Sequence, residues 1–437
     1  MRMQALAGAL LTAGMLTVAG CSGGSTPSNE TATAPGKPGD VSGEIKVLTH
    51  RTDLVQNGTM NQYAAEFNKI YPKVKVKFEA ITDYEGEVKI RMNTANYGDV
   101  LMIPAAIAKN DYPKFFAPLG SAKELGATYR FADKTTVAGK VYGIATFGTA
   151  NGFVYNKAVW KQAGITDWPT TPAQFLDDLK AIKSKTGATP YYTNFKDGWP
   201  LTAWTSVIGS VSCDTKANDK LVTSPNPWAK GSDLNVADTL LYDIVHGGLA
   251  EKDPTTTNWE NSKGLIAKGD IATMQLGSWA ITQMQDAAKK AGKDPADIGF
   301  MPFPAQVGGS YCSVLASDYQ QAVNIHSKNK TAARAWIDWF TDKSGEALKE
   351  GAVSPLKDSP LPTTLKPYTD AGVKLIELSQ AKNAQVNIID NAAEIGLQKP
   401  DYRQKLVDLA RGAQKGTLQG YFTDLGKRWD EAAKTAG

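Results

Sequence analysis

Histidine is scarce. Three stand in 437 residues, at His50, His246 and His326, too scattered along the chain to suggest a ligand set. Cysteine is as rare, also three, and no pair has metal-site spacing, so no metal centre is expected. An excess of one charge is missing as well. The 48 Lys and Arg are interspersed with 44 Asp and Glu, which leaves a formal net charge of +4 and no basic stripe for a nucleic acid. The pattern G-x-x-x-x-G-K-[ST] does not occur, so the chain has no phosphate loop of its own; G-x-S-x-G and H-E-x-x-H are also absent, which removes the support for two hydrolase classes. There is no fixed-period repeat, and no cofactor is expected.

What is present begins at the N-terminus. Arg2 supplies a short basic segment and residues 3–18 an apolar run diluted by Gly and Thr, the build of a secretory signal and too weak for a membrane span. It ends in Val18-Ala19-Gly20-Cys21, small residues directly before a cysteine, which resembles the lipobox of bacterial lipoproteins. The resemblance implies that residues 1–20 are a signal peptide and that lipidated Cys21 anchors the chain to the bacterial cell membrane, facing away from the cytoplasm. Residues 22–42 are rich in Ser, Thr, Gly and Pro and cannot bury a core, so 21–43 reads as the lipidated Cys and a flexible tether. Roughly 395 residues remain, too many for one ordinary core and enough for two lobes. In an exported chain Cys213 and Cys312 form one disulfide or stay two buried thiols; the bonded pair is the expectation.

After the tether, "GEIKVLTH" reads as a strand, and "GTMNQYAAEFNKIYP" as a helix with Tyr63, Phe67 and Ile70 on one face. In "KVKVKFEAI", Val74, Val76 and Phe78 alternate with lysines, a strand with one wet side. The amphipathic "YEGEVKIRMNT" and the short apolar "GDVLMIP" complete a strand–helix rhythm, which is that of an α/β sheet covered by helices. Ligands collect at the carboxyl ends of strands in such sheets, which makes "THRTD", "DYEG" and the residues after "LMIP" candidate lining. Further on, Thr171, Pro172 and Gln174 form a cap, an N1 proline and a capping-box partner for a helix carrying Phe175, Leu179 and Ile182. Residues 271–276 read as a strand that turns at Gly277-Ser278 into a helix with Trp279 in its first turn. Ala333, Trp336, Ile337 and Phe340 recur at helical spacing and read as core, and the last residues as an amphipathic helix.

Several of these pieces together resemble the family 1 extracellular solute-binding proteins of ABC importers: "VAGC", "YGIATFGTANGFVYNKAVWKQAGI", "LIAKGDIATMQLGSW", "MPFP", "GAVSPLK" and "GTLQGYFTDLGKRWDEA", in that order. The resemblance implies the type II periplasmic-binding-protein-like fold, two α/β lobes joined by a hinge of several chain crossings. The crossings are expected near 145–151, 302–311 and 354–362, giving lobe 1 as 44–147 with 312–354 and lobe 2 as 148–311 with 355–437. It also implies a monomeric carbohydrate receptor rather than an enzyme, whose partners are permease subunits with a separate ATPase subunit. A tethered glycoside-processing enzyme, or the same fold binding a non-sugar solute, are the alternatives.

A sugar shows hydroxyls at its edge and C–H groups on its faces, so its site needs polar partners beside aromatic plates. From lobe 1 the candidates are Arg51 and Asp53 after the first strand, with Asp83 and Tyr84; from lobe 2 they are Asn151, Asp197, Trp199, Trp204 and Trp279. The stretch "NFKDGWPLTAW" fits neither helical nor strand periodicity, and its two tryptophans read either as core or as stacking plates. For Arg51 and Asp53 a solvated loop is the other reading, and for Asn151 a hydrogen bond within the hinge.

Overall fold

The computed structural model of the protein describes residues 30–435; the signal, Cys21 and the first part of the tether lie outside the described residues. The alternation of Val74, Val76 and Phe78 with lysines makes the strand Val74–Ala80, whose Lys75 and Lys77 both pair with Glu44 on the neighbouring strand Gly43–Thr49. These two run parallel, and Val100–Met102 joins Gly43–Thr49 in parallel on its other side. Parallel neighbours need crossovers, and the helices Thr59–Ile70 and Tyr84–Arg91 supply them. The next strand comes from far along the chain: Gln320–Asn324 lies antiparallel between Val100–Met102 and the short Phe116–Ala117. One face of this sheet buries Val47 against Phe67, Trp336, Ile337 and Phe340; the other buries Leu48 and Leu101 with Tyr84 and Val88.

The second sheet is built around Gly148–Asn156, which pairs antiparallel with Thr273–Gly277, Ile298–Met301 and Ser310–Ser317. Helix Pro172–Lys185 starts where Thr171 accepts from the Gln174 N–H, and it buries Phe175, Leu179 and Ile182 beneath the sheet. The Gln174 side chain accepts from Thr170 instead of Thr171, one residue away from the expected box. A further core of Trp228, Tyr402, Phe422 and Trp429 binds the C-terminal helices, including Leu418–Thr435, to this lobe. Cys213 and Cys312 are joined by a disulfide, with Cα atoms 5.4 Å apart, which ties the turn after Ala203–Val207 to the strand Ser310–Ser317. Among the described residues no helix is long and apolar enough to cross a membrane.

Three stretches of chain join the lobes. Ile144–Ala145 pairs in the first sheet and Gly148–Asn156 in the second, with only two residues between them. Ser310–Ser317 passes just as directly into Gln320–Asn324. The third stretch lies against the first, since Gly148 and Val353 exchange backbone hydrogen bonds of 2.6 and 2.8 Å. The crossing expected near 302–311 is therefore misplaced. Gly308 and Gly309, at φ 58° and 77°, close a two-residue hairpin that pairs Gln306 with Tyr311, so this segment stays within the second sheet. Residues 312–317, expected in lobe 1, continue that strand, and the chain changes lobe only after Ser317.

Candidate functional site

The lobes face each other across an open trench of ≈ 860 Å³. Its floor is the crossing segment around Asp318 and Tyr319, its first wall is the small-residue run after Val100–Met102, and its second wall is helix Asn383–Ala392 with Gln398 and Lys399. Tyr319 donates to Glu85 Oε1 at 2.7 Å, and Glu85 Oε2 accepts from the Ala105 N–H, so the floor and the first wall are stitched together. The Tyr319 ring lies 5.0 Å from His50 at the end of the first strand. Burial, then the neighbouring Arg51, push the His50 imidazole down to about 4, so it faces the trench floor uncharged.

Beside the segment that follows Lys399 stands a corner of three tryptophans. Trp199 is 4.9 Å from Trp259 and 5.8 Å from Trp279 between ring centroids, and Trp259 and Trp279 are 5.7 Å apart. Trp199 is 37% exposed, an unusual state for so large an apolar side chain. None of the three indole N–H groups donates to the protein among the described residues, whereas the interior Trp204, Trp228 and Trp429 donate theirs to Tyr191, Asp238 and Leu221. The corner depends on two glycines. A Cβ on Gly277 would stand 2.7 Å from the Trp279 indole and 2.6 Å from Thr149 Oγ1. Gly198, at φ +75°, would meet Pro400 at 2.7 Å, so the turn before Trp199 packs directly on the residue after Lys399. Asp197 accepts from the backbone N–H of Trp259 at 2.9 Å, which fixes the Trp199 segment to the N-terminus of helix Trp259–Lys268, where negative charge is favoured.

The candidates from the first lobe behave differently. Arg51 reaches Asp53 at 2.8 Å and Glu350 at 3.1 Å, and lies 3.7 Å from Glu346. Burial works against its charge, but hydrogen bonds to Asp53 and the charge of Glu350 outweigh that and raise its pKa. The cluster bridges the lobes, because the Glu350 carbonyl accepts from Thr282 in the helix that follows Trp279. Arg51 is thus a tie among carboxylates, while the Asp53 side chain keeps 60% of its surface open.

Two expected site residues lie elsewhere. Tyr84 is 3% exposed, and its hydroxyl both donates to the Met102 carbonyl and accepts from the Met102 N–H, which holds the helix to the sheet. Trp204 is 1% exposed, packed on Phe153 and Tyr191. Both sit on the buried side of their elements, so neither reaches the trench. Asn151 is also covered: its amide donates to the Ala203 carbonyl at 3.3 Å beneath the Trp199 segment, and its own carbonyl accepts from Ser313. Asp83 caps its helix by accepting from Gly86. The structure therefore brings together Trp199, Trp279 and Asp197, and adds Trp259, Tyr319, Glu85 and the amides of helix Asn383–Ala392. Trp259 carried a signal, as an aromatic directly after the N-cap Asn258, but its proximity to Trp199 depends on a turn 60 residues away.

Two lobes hinged over a trench, with aromatic rings at its end and polar groups from both sides, define a protein that encloses a small solute. The bacterial extracellular solute-binding protein model matches residues 52–347, and the chain belongs to that family. It is similar to BlMnBP1, a binding protein of an ABC transporter from Bifidobacterium animalis subsp. lactis solved with mannobiose, at 33% identity and TM-score 0.83 over 91% of this chain and 96% of that one. BlMnBP2 of the same organism, a manno-oligosaccharide specific solute binding protein solved with mannotriose, matches at 32% identity and TM-score 0.82, again over 91% and 96%. The multiple sugar-binding protein of Streptococcus mutans is 24% identical over 337 residues, covering 72% of this chain and 77% of its own.

Proposed function

We propose that the protein is the receptor of an ABC importer for a short manno-oligosaccharide, held between the lobes with one sugar ring against the tryptophan corner. The corner itself carries this reading: three indoles whose N–H groups have no protein partner among the described residues stand beside the segment that follows Lys399, offering plates for C–H faces and donors for hydroxyls. The related proteins solved with mannobiose and mannotriose support the choice of sugar. Lipidated Cys21 tethers the receptor to the outer side of the membrane, and the loaded, closed, monomeric form meets permease subunits whose ATPase is a separate chain. Asp197 positions the corner and leaves one carboxylate oxygen for a ring hydroxyl.

Titrating the protein with mannobiose and mannotriose while recording tryptophan emission and heat tests the reading. Saturable binding with an emission change, and no shortening of the sugar on chromatography, is the expected result. Sugar cleavage would make the chain an enzyme, and binding only of non-sugar solutes would retain the fold and discard the ligand. Mass analysis of the membrane-extracted protein, with Cys21→Ala as the unlipidated control, tests the anchor.

A further inference from the structure

The second wall of the trench has a composition that the tryptophan corner does not explain. Helix Asn383–Ala392 reads NAQVNIIDNA, and Asn383, Asn387 and Asn391 fall four residues apart, on one face, all lining the trench. From first to last they span about 12 Å at the helical rise, longer than one pyranose ring. Asparagine is a poor helix former, and three in ten residues weaken the helix unless the face has a use. The charged alternative is used elsewhere in the same lobe. Helix Leu418–Thr435 covers its wet face with Arg428–Asp424 and Lys434–Asp430 pairs four residues apart. The one carboxylate of the asparagine helix, Asp390, turns inward and accepts from the Gly396 and Leu397 N–H groups, which holds the loop leading to Gln398.

The amides are also free. Asn387, Asn391 and Gln398 are exposed, and their side chains make no hydrogen bond to the protein among the described residues. The line continues into the corner, because Gln398 and Lys399 precede Pro400, which packs against Gly198 beside Trp199. Across the trench the facing wall carries Ala105, Ala106 and Ala108, too short to fill the space, with Glu85, Lys109 and Tyr112 around them.

Resting on the sugar reading above, we propose that Asn387 and Asn391 form a hydroxyl-reading track for the part of the oligosaccharide that extends beyond the tryptophan corner. The ligand class is then a neutral, unbranched oligosaccharide of three or more rings: the corner takes one end, and the amides pair with the hydroxyl edges of the following rings. A primary amide suits this, since it gives one acceptor and two donors to neighbouring hydroxyls and carries no charge to desolvate. The small-residue wall opposite leaves room for the chain without fixing its linkage.

The test measures calorimetric affinities of wild type and N387A/N391A for mannobiose, mannotriose and mannotetraose, with melting temperature recorded for both proteins. Wild type is expected to favour the longer sugars. The double variant should lose about tenfold or more in affinity for mannotriose and mannotetraose, from at least two lost hydrogen bonds, with little change for mannobiose and an unaltered melting temperature. Conservative N387Q/N391Q should restore part of the preference for length. Equal losses for all three sugars, or no loss for any, would overturn the track while the sugar receptor stands. If wild type binds none of the three, the receptor reading falls and the track with it.

Discussion

Replacing Trp279 with Ala removes a plate that lies against both Trp199 and Trp259, yet it opens no deep cavity, since the ring is only half-buried. Trp199→Ala and Trp279→Ala should each weaken sugar binding about two- to tenfold, the value of an aromatic contact of ~0.5–1.5 kcal/mol, while the melting temperature moves little. Calorimetry on the refolded variants decides it. A pure core role would show the reverse, a large drop in stability with affinity retained in the folded fraction. His50 makes a separate prediction. Its folded pKa of about 4 lies below the unfolded value, so the unfolded chain takes up the proton first as pH falls. The stability this contributes is whole above about pH 6.5 and lost progressively toward pH 4, with a ceiling of about 3 kcal/mol. Chemical denaturation across that window should show His50→Gln losing the slope. The chemistry of single residues was only partly legible in the sequence. An acidic residue beside tryptophans at an irregular turn marked Asp197 and Trp199, but Tyr84 and Trp204 carry the same residue chemistry and face inward. Which side of an element is wet there depends on partners such as Met102 and Tyr191, which no local pattern names.

Elements were easier to read than residues because their signals are periodic. The Thr171 cap, the alternation in Val74–Ala80 and the apolar face of Lys330–Asp342 all reappear as built structure, since each is enforced by neighbours three, four or two residues away. The Gly-Gly hairpin after residue 307 misled for the same reason: flexible residues suit a hinge and a tight turn alike. At this scale the helix Pro400–Ala410, which starts beside the trench, is held by Arg403. That residue is 1% exposed, bonds Asp238 at 2.9 Å and Thr205 at 2.6 Å, and lies over the Tyr402 ring. Arg403→Met alone strands a buried carboxylate and should cost about 3–5 kcal/mol in urea denaturation, whereas pairing it with Asp238→Leu should recover much of the loss. The Cys213–Cys312 link closes a separation of 99 residues, so its removal by C213S/C312S should lower unfolding stability by about 2–5 kcal/mol.

Across the whole molecule, ligand stabilises closure only through contacts made to both lobes at once. Adding the bound oligosaccharide at a hundredfold over its Kd should raise unfolding stability by about 2.7 kcal/mol, and solution scattering should show a smaller radius of gyration as the trench shuts. Stabilisation without contraction would place the ligand on one lobe alone. The two-lobed plan was legible from the order of the weak motifs, but the change of lobe after Ser317 was not, because strand pairing and not composition decides it. The position of Gln320–Asn324, inserted between Val100–Met102 and Phe116–Ala117, has a consequence for how the protein comes into being. Chain emerging from the ribosome, or threading through an export channel, carries a first sheet with its middle missing for some two hundred residues. Until residue 324 arrives, Val100–Met102 and Phe116–Ala117 have no partner between them, and the first sheet cannot close. The interleaving that lets the lobes move as one hinged body also leaves the first sheet incomplete until most of the polypeptide has been made.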